Sequence, residues 1–200
     1  MQNLVRRVMA IVNSRILKKW GKPSMAKAIW DEEFASGQWE FLEDTSHDVI
    51  YQYLEKYVNN GSILDLGCGS GNTGNELAVS RYSRYSGVDI SEVAIQKALV
   101  RTIKNGRQEK NQYFCNDISS FSPKMRYDII LFRESLFYIP QTRIKSVLDR
   151  YSGFLTEGGV FIVRIFDRNK YKRILQLIET NYQILEVAPA GDSDIILVFR

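Results

Sequence analysis

Histidine is nearly missing from this 200-residue chain: His47 is the single one. With only two cysteines, Cys68 and Cys115, there is no His/Cys cluster at metal-ligand spacing, and a disulfide framework is excluded as well. No wholly apolar run exceeds about five residues (Val8 to Val12), so no stretch spans a bilayer as a helix. Arg6 and Arg7 stand where the apolar part of a secretory signal would begin. Sparse cysteine and no signal predict a reducing, cytoplasmic setting. Acidic residues are absent from residues 1–27, which carry seven Lys and Arg. The rest of the chain then holds 20 basic against 23 acidic side chains, so the net charge of +4 comes from the N-terminus alone. A mildly acidic body argues against general nucleic-acid binding, which wants a basic face on the folded domain.

What is present begins with an amphipathic pattern. Leu4, Val5, Val8, Met9, Ile11, Val12, Ile16, Leu17 and Trp20 recur every three or four residues, with Arg and Lys between them. This predicts a helix over residues 1–20. Either its apolar stripe packs on the domain with the charges in water, or it is a surface for anionic lipid, an acidic partner or an anionic substrate; a cleaved presequence is a third reading. Lys22-Pro23 breaks it. Residues 24–43 hold two of the three Trp and a short helix ending near Gly37, and Thr45, Ser46 and Asp48 offer caps for a helix running to Val58. We read 1–44 as a helical cap or lid and 45–200 as the main domain.

From residue 62 the pattern alternates strand and helix. Strands are expected at Ser62–Leu66, Tyr85–Asp89, Gln112–Cys115, Asp128–Phe132 and Val160–Phe166. Helices are expected at Asn72–Val79, Glu92–Lys104 (capped by Ser91), Gln141–Phe154 and Asn169–Thr180. Gln183–Ala188 and Asp194–Phe199 are close enough for an antiparallel hairpin. Repeated strand–helix units imply an α/β fold with a doubly wound parallel sheet covered by helices on both faces.

The first strand runs into Asp65-Leu66-Gly67-Cys68-Gly69-Ser70-Gly71-Asn72. Glycines there let the backbone turn tightly and approach a ligand, and the following helix offers free N–H groups. Asp89 ends the second strand, where a carboxylate suits the paired hydroxyls of a ribose. Asn116-Asp117-Ile118 follows the third, placing Asp117 for an adenine amino group and Ile90 and Ile118 for its two faces. Gly69-x-Gly71-x-x-Gly74 also fits the dinucleotide fingerprint. Asp65 argues against that reading, because a carboxylate facing the ligand is poor for a pyrophosphate and suits a cation.

The series I-L-D-L-G-C-G-S-G, G-V-D-I-S, N-D-I, Y-D-I-I-L-F and L-T-E-G-G-V-F-I-V-R resembles the class I S-adenosylmethionine-dependent methyltransferases over residues 62–200, in order and spacing. The resemblance implies a seven-stranded sheet in the order 3-2-1-4-5-7-6 with strand 7 antiparallel, and S-adenosylmethionine as cofactor. It implies that Asp65, Gly67, Gly69 and Gly71, with Cys68 and Asn72 in the same loop, line the methionine part. Asp89 would hold the ribose, and Asp117 and Ile118, with Ile90 and Asn116 beside them, would meet the adenine. Arg133-Glu134-Ser135 would close the cofactor and face the substrate. Trp30-Asp31-x-x-Phe34-x-x-Gly37-x-Trp39 resembles a pre-core lid segment of small-molecule and sugar-modifying members. Its rings either attract the sulfonium or simply pack a helix.

Candidates for proton transfer are Glu134, Tyr138 and His47, each with a plain alternative: Glu134 as a substrate orienter, Tyr138 as packing, His47 as an exposed helix-start residue. The Asn-Pro-Pro-Tyr type motif of many base and glutamine methyltransferases is missing after the fourth strand. The expected acceptor is therefore an O or N of a small metabolite, sugar-related or anionic. An RNA or protein methyltransferase using the basic helix, and a non-catalytic cofactor-binding protein, are the other readings. No nucleic acid is expected as partner; residues 1–20 are the expected contact for a membrane surface or partner.

Overall fold

The computed structural model describes residues 14, 16–40 and 44–200. Most of the helix expected over residues 1–20 therefore lies outside the described residues; residues 16–20 are helical. Next come α1 (Pro23–Ala35) and α2 (Ile50–Val58). The main domain then runs β1 (Ser62–Leu66), α3 (Asn72–Glu76), β2 (Arg84–Asp89), α4 (Glu92–Lys104), β3 (Asn111–Cys115) and β4 (Tyr127–Arg133). It continues as α5 (Gln141–Ser152), β5 (Leu155–Ile165), α6 (Lys172–Asn181), β6 (Ile184–Pro189) and β7 (Ile195–Phe199).

The strands form one sheet in the order β3-β2-β1-β4-β5-β7-β6. β1 to β5 pair in parallel, and β7 is antiparallel to both neighbours. This is the doubly wound architecture expected. Alternation along each strand divides the core into two layers. Leu64, Leu66, Ile130, Phe132, Phe161 and Val163 pack against Ile144, Leu148, Ile174 and Ile178 of α5 and α6. Ile63, Ile129, Leu131, Ile162 and Val198 pack on the opposite face with Ile50, Leu54 and Val58 of α2. Five consecutive buried residues in β1 follow from this, because both faces of a central parallel strand are covered.

Several boundaries differ from expectation. The helix after the glycine loop ends at Glu76, not Val79, and a 3₁₀ turn takes Val79–Arg81. β5 begins at Leu155 rather than Val160: Leu155 pairs with Tyr127, and the register then shifts so that Val160 pairs with Ile129. Gly158, at φ +80°, absorbs the irregularity. α2 starts at Ile50 with Val49 as its N-cap and no side-chain cap, rather than with one of the expected caps; Asp48 Oδ1 accepts the Ile50 N–H in the turn before it.

Candidate active site

Asp65, Asp89 and Asp117 lie at or just beyond the carboxyl ends of β1, β2 and β3, three adjacent strands. That edge is where ligands bind in open α/β sheets. Asp89 Oδ2 accepts the Gly69 N–H at 2.9 Å and Oδ1 accepts the Ser91 N–H at 2.9 Å. Each oxygen keeps a further lone pair, so a vicinal diol still has two acceptors. Burial pushes the Asp89 carboxyl up to about 6, partly offset by those two N–H groups. Asp65 is buried, with the Thr73 hydroxyl nearby; the Tyr85 hydroxyl donates to Oδ2 at 2.7 Å, while Oδ1 has no hydrogen-bond partner within normal distance among the described residues. Desolvation raises its carboxyl above the usual range. A buried carboxylate with one idle oxygen, beside a backbone loop, fits an ammonium group such as that of a methionine moiety.

The loop glycines divide by task. Gly67, Gly69 and Gly71 all have positive φ, at +86°, +54° and +77°. A Cβ on Gly67 would run into Ser135 Cβ, and one on Gly71 would press on Ala98 and the Tyr113 hydroxyl. Those two serve packing. A Cβ on Gly69 would meet only the Phe34 ring, at 3.6 and 3.9 Å, so Gly69 is the loop glycine that opens toward the lid. Gly67→Ala is expected to cost ~2 kcal/mol or more of unfolding free energy, from a positive φ plus overpacking. Gly69→Ala should cost about half that, as read by urea denaturation.

Cys68 is buried, with its Sγ 3.7 Å from the Gly69 carbonyl, and burial raises its thiol well above the ordinary value, so it is a filler rather than a nucleophile. Asn72 Oδ1 accepts from Ser70 Oγ and from the Arg101 guanidinium, tying it to the outer side of the loop. Ile90 and Ile118 are partly buried beside β2 and β3, and Asn116 is exposed, its N–H on the Asp89 carbonyl. Asp117 Oδ1 caps the Ser119 N–H, and the Ile118 carbonyl accepts from Arg150 and Tyr151.

α1 closes over this edge. Asp31 Oδ1 accepts from Ser91 Oγ at 2.7 Å and from the Val93 N–H, and Lys97 Nζ donates to the Phe34 carbonyl. Trp30, Phe34 and Trp39 form one cluster with centroids 5.7 to 6.4 Å apart, and Trp30 meets Tyr138 edge-on at 4.9 Å. Lys18 Nζ lies 3.6 Å from the Trp30 ring and pairs with Glu33. Trp30 of α1 therefore meets Tyr138, and Phe34 lies against Gly69 of the glycine loop.

The segment after β4 is held by charge. Arg133 donates to Asp48 at 2.7 Å and to the Tyr51 hydroxyl at 3.1 Å. The guanidinium thus faces α2 and the segment before it. Ser135 Oγ donates to the Leu66 carbonyl. Glu134 has φ +56°, a strained conformation for a non-glycine residue. Its carboxylate accepts from Arg164 and from the Phe166 N–H at 3.0 Å. Arg164 also donates to Asp194 at 2.7 Å. Burial pushes the Glu134 carboxyl up to about 7; Arg164 pulls the other way, but Asp194 claims part of its charge. His47 is exposed in the turn before α2 and lines a cleft of about 450 Å³ with Asp44, Thr45, Asp48, Val49, Arg164 and Ala190. Asp31 stood in the quoted Trp30-Asp31 segment without an assigned contact, whereas sequence reasoning missed Tyr85, Asp48 as the partner of Arg133, and the Arg164–Asp194 pair. Arg164 carried a signal, as a charge inside the buried run Val160 to Phe166.

A family model described as a methyltransferase domain matches residues 64–161. A ubiquinone biosynthesis O-methyltransferase of Hydrogenovibrio crunogenus is 24% identical over 167 residues, covering 84% of this chain and 67% of that protein. The chain spans 46% to 67% of the length of three curated relatives that it matches. Among solved structures, a magnesium protoporphyrin IX methyltransferase from Synechocystis PCC 6803 with bound S-adenosylmethionine has a TM-score of 0.71 at 14% identity, covering 89% of this chain and 96% of that one. The N-methyltransferase NodS of Bradyrhizobium japonicum, in complex with S-adenosylhomocysteine, has a TM-score of 0.69 at 18% identity, covering 87% and 97%. The sheet order, the acidic edge around Gly69 and the methyltransferase-domain match over residues 64–161 together support a class I S-adenosylmethionine-dependent methyltransferase domain in this chain.

Proposed function

We propose that the chain transfers a methyl group from S-adenosylmethionine to an oxygen or nitrogen of a small acceptor. The observation that carries this is the carboxylate edge at the ends of β1 and β2, where Asp89 holds the Gly69 N–H of the glycine loop and Asp65 lies buried beside it. Asp89 holds the ribose hydroxyls, Asp65 receives the ammonium through its idle oxygen, and the bare backbone of Gly69 lines the methionine part. Bound there, the cofactor supplies a methyl on a positively charged sulfur, which is already electrophilic. The chain's own work is positioning and drying, which can be worth up to ~7–11 kcal/mol. Trp30, Phe34, Trp39 and Tyr138 exclude water from above, and their faces suit a cation.

Glu134 is the proton acceptor in this reading. Its strained backbone and its bonds to Arg164 and the Phe166 N–H fix the carboxylate just beyond β4. A group poised near neutrality suits the removal of a proton from a hydroxyl or an ammonium. Asp44 and Asp48 line the cleft beside Arg164, the one Lys or Arg among its lining residues.

The test is calorimetric titration with S-adenosylmethionine and with NAD, then transfer of labelled methyl to pooled hydroxylated and amine-bearing metabolites and, separately, to RNA and protein. Binding of the sulfonium compound and labelling of a metabolite are expected. NAD binding alone, or labelling of RNA with a steep salt dependence, would overturn the proposal.

A further inference from the structure

Residues 16–20 invert the arrangement expected of an amphipathic helix. Lys18 turns inward: its side chain is 6% exposed, against Trp30 and Glu33. Lys19 also turns inward, with Nζ donating to the Phe137 carbonyl at 3.0 Å, and burial lowers its ammonium below the ordinary value. Ile16 and Trp20, one helical turn apart and so on one face, are 52% and 61% exposed. Beyond the helix end Lys22 is exposed, and Met25 is 43% exposed. The lysines are thus spent on the domain, while a tryptophan, an isoleucine and a methionine face water.

We propose that this face docks on an anionic lipid surface. No helix among the described residues is long and apolar enough to cross a membrane, so the attachment is peripheral. Two features select a bilayer as the occupant. A Trp and aliphatic side chains beside exposed lysine are the chemistry of the headgroup boundary, where indole and acyl chain share a depth. Charge complementarity is the other: residues 1–22 carry six Lys and Arg and no Asp or Glu, and Lys22 is exposed beside Trp20. The docked face lies on the segment that Lys18 and Lys19 tie to the lid and to Phe137, so the bilayer sits next to the lid.

The full chain is sedimented with vesicles of phosphatidylcholine alone and of equimolar phosphatidylcholine and phosphatidylglycerol. Binding to the anionic vesicles only, weakened by salt, is expected. The double variant Ile16→Glu, Trp20→Glu should bind them at least ~10-fold more weakly, with unchanged melting temperature and cofactor affinity. Brominated acyl chains should quench the native chain and spare Trp20→Phe, because Trp30 and Trp39 lie within the lid cluster. Absence of binding, equal binding by the double variant, or a change in its sedimentation coefficient or RNA affinity instead, would overturn the proposal.

Discussion

Glu134→Gln is expected to lower methyl-transfer turnover by ~10²-fold or more while leaving cofactor affinity unchanged. The substitution keeps the side chain's length and an acceptor oxygen toward the Phe166 N–H, and removes the ability to take a proton together with the ion pair to Arg164. The wild-type kcat/KM should rise with pH and level off above about 7, because the carboxyl is pushed to about 7 by burial and must be ionised to act. The rise should vanish in the Gln variant. Single-turnover transfer of labelled methyl across pH 5.5 to 9 (roughly two units either side of that value) measures both. A profile as steep in Glu134→Gln as in the wild type would assign the proton to another group, and a flat wild-type profile would leave positioning as the whole of the catalysis.

Asp89→Ala is expected to weaken S-adenosylmethionine binding by ~1.5–3 kcal/mol, about 10- to 150-fold, through lost charge-assisted hydrogen bonds. Two backbone donors, Gly69 N–H and Ser91 N–H, lose their acceptor at the same time, so the loop loosens as well. The wild-type affinity should itself depend on pH. Hydroxyl donors bind the ionised carboxylate, and a group titrating at about 6 is about nine-tenths ionised at pH 7 and one-tenth at pH 5. Affinity should therefore fall about tenfold over that interval. The folded carboxyl is raised above its unfolded value, so Asp89 favours folding at low pH. That contribution is lost as pH rises from about 4 to about 6, opposite in sign to the binding effect. Calorimetry at the two pH values, with thermal unfolding alongside, separates the two. Affinity unchanged by Asp89→Ala would mean that the ribose is held elsewhere.

Much of the framework was legible because it rests on short-range rules. The buried run Ile63 to Leu66 ends in glycines needing positive φ, and Ser91 caps α4 by accepting the Ala94 N–H, as its position before Glu92 required. The strand order was legible only through the resemblance, since periodicity says which residues face a core and not which strands are neighbours. Less legible were features set by partners distant in sequence. Leu155 joins β5 because Tyr127 stands beside it across a register shift. Arg133 turns to Asp48, 85 residues away, and Glu134 is held by Arg164 and Phe166. The lysines at 18 and 19, read as water-facing in the packed alternative, point inward because Glu33, the Trp30 ring and the Phe137 carbonyl lie beneath them.

By itself the sequence determined the alternation of strands and helices, the glycine turn after β1 and the three carboxylates at strand ends, because each follows from backbone freedom, capping or burial period within a few residues. Only the tertiary structure decided which loop glycine opens to a ligand, which oxygen of Asp65 stays idle, and how Arg164 divides its charge between Glu134, Asp48 and Asp194. Those depend on what a side chain meets across the fold, and desolvation and pairing are properties of the assembled site rather than of any stretch of chain.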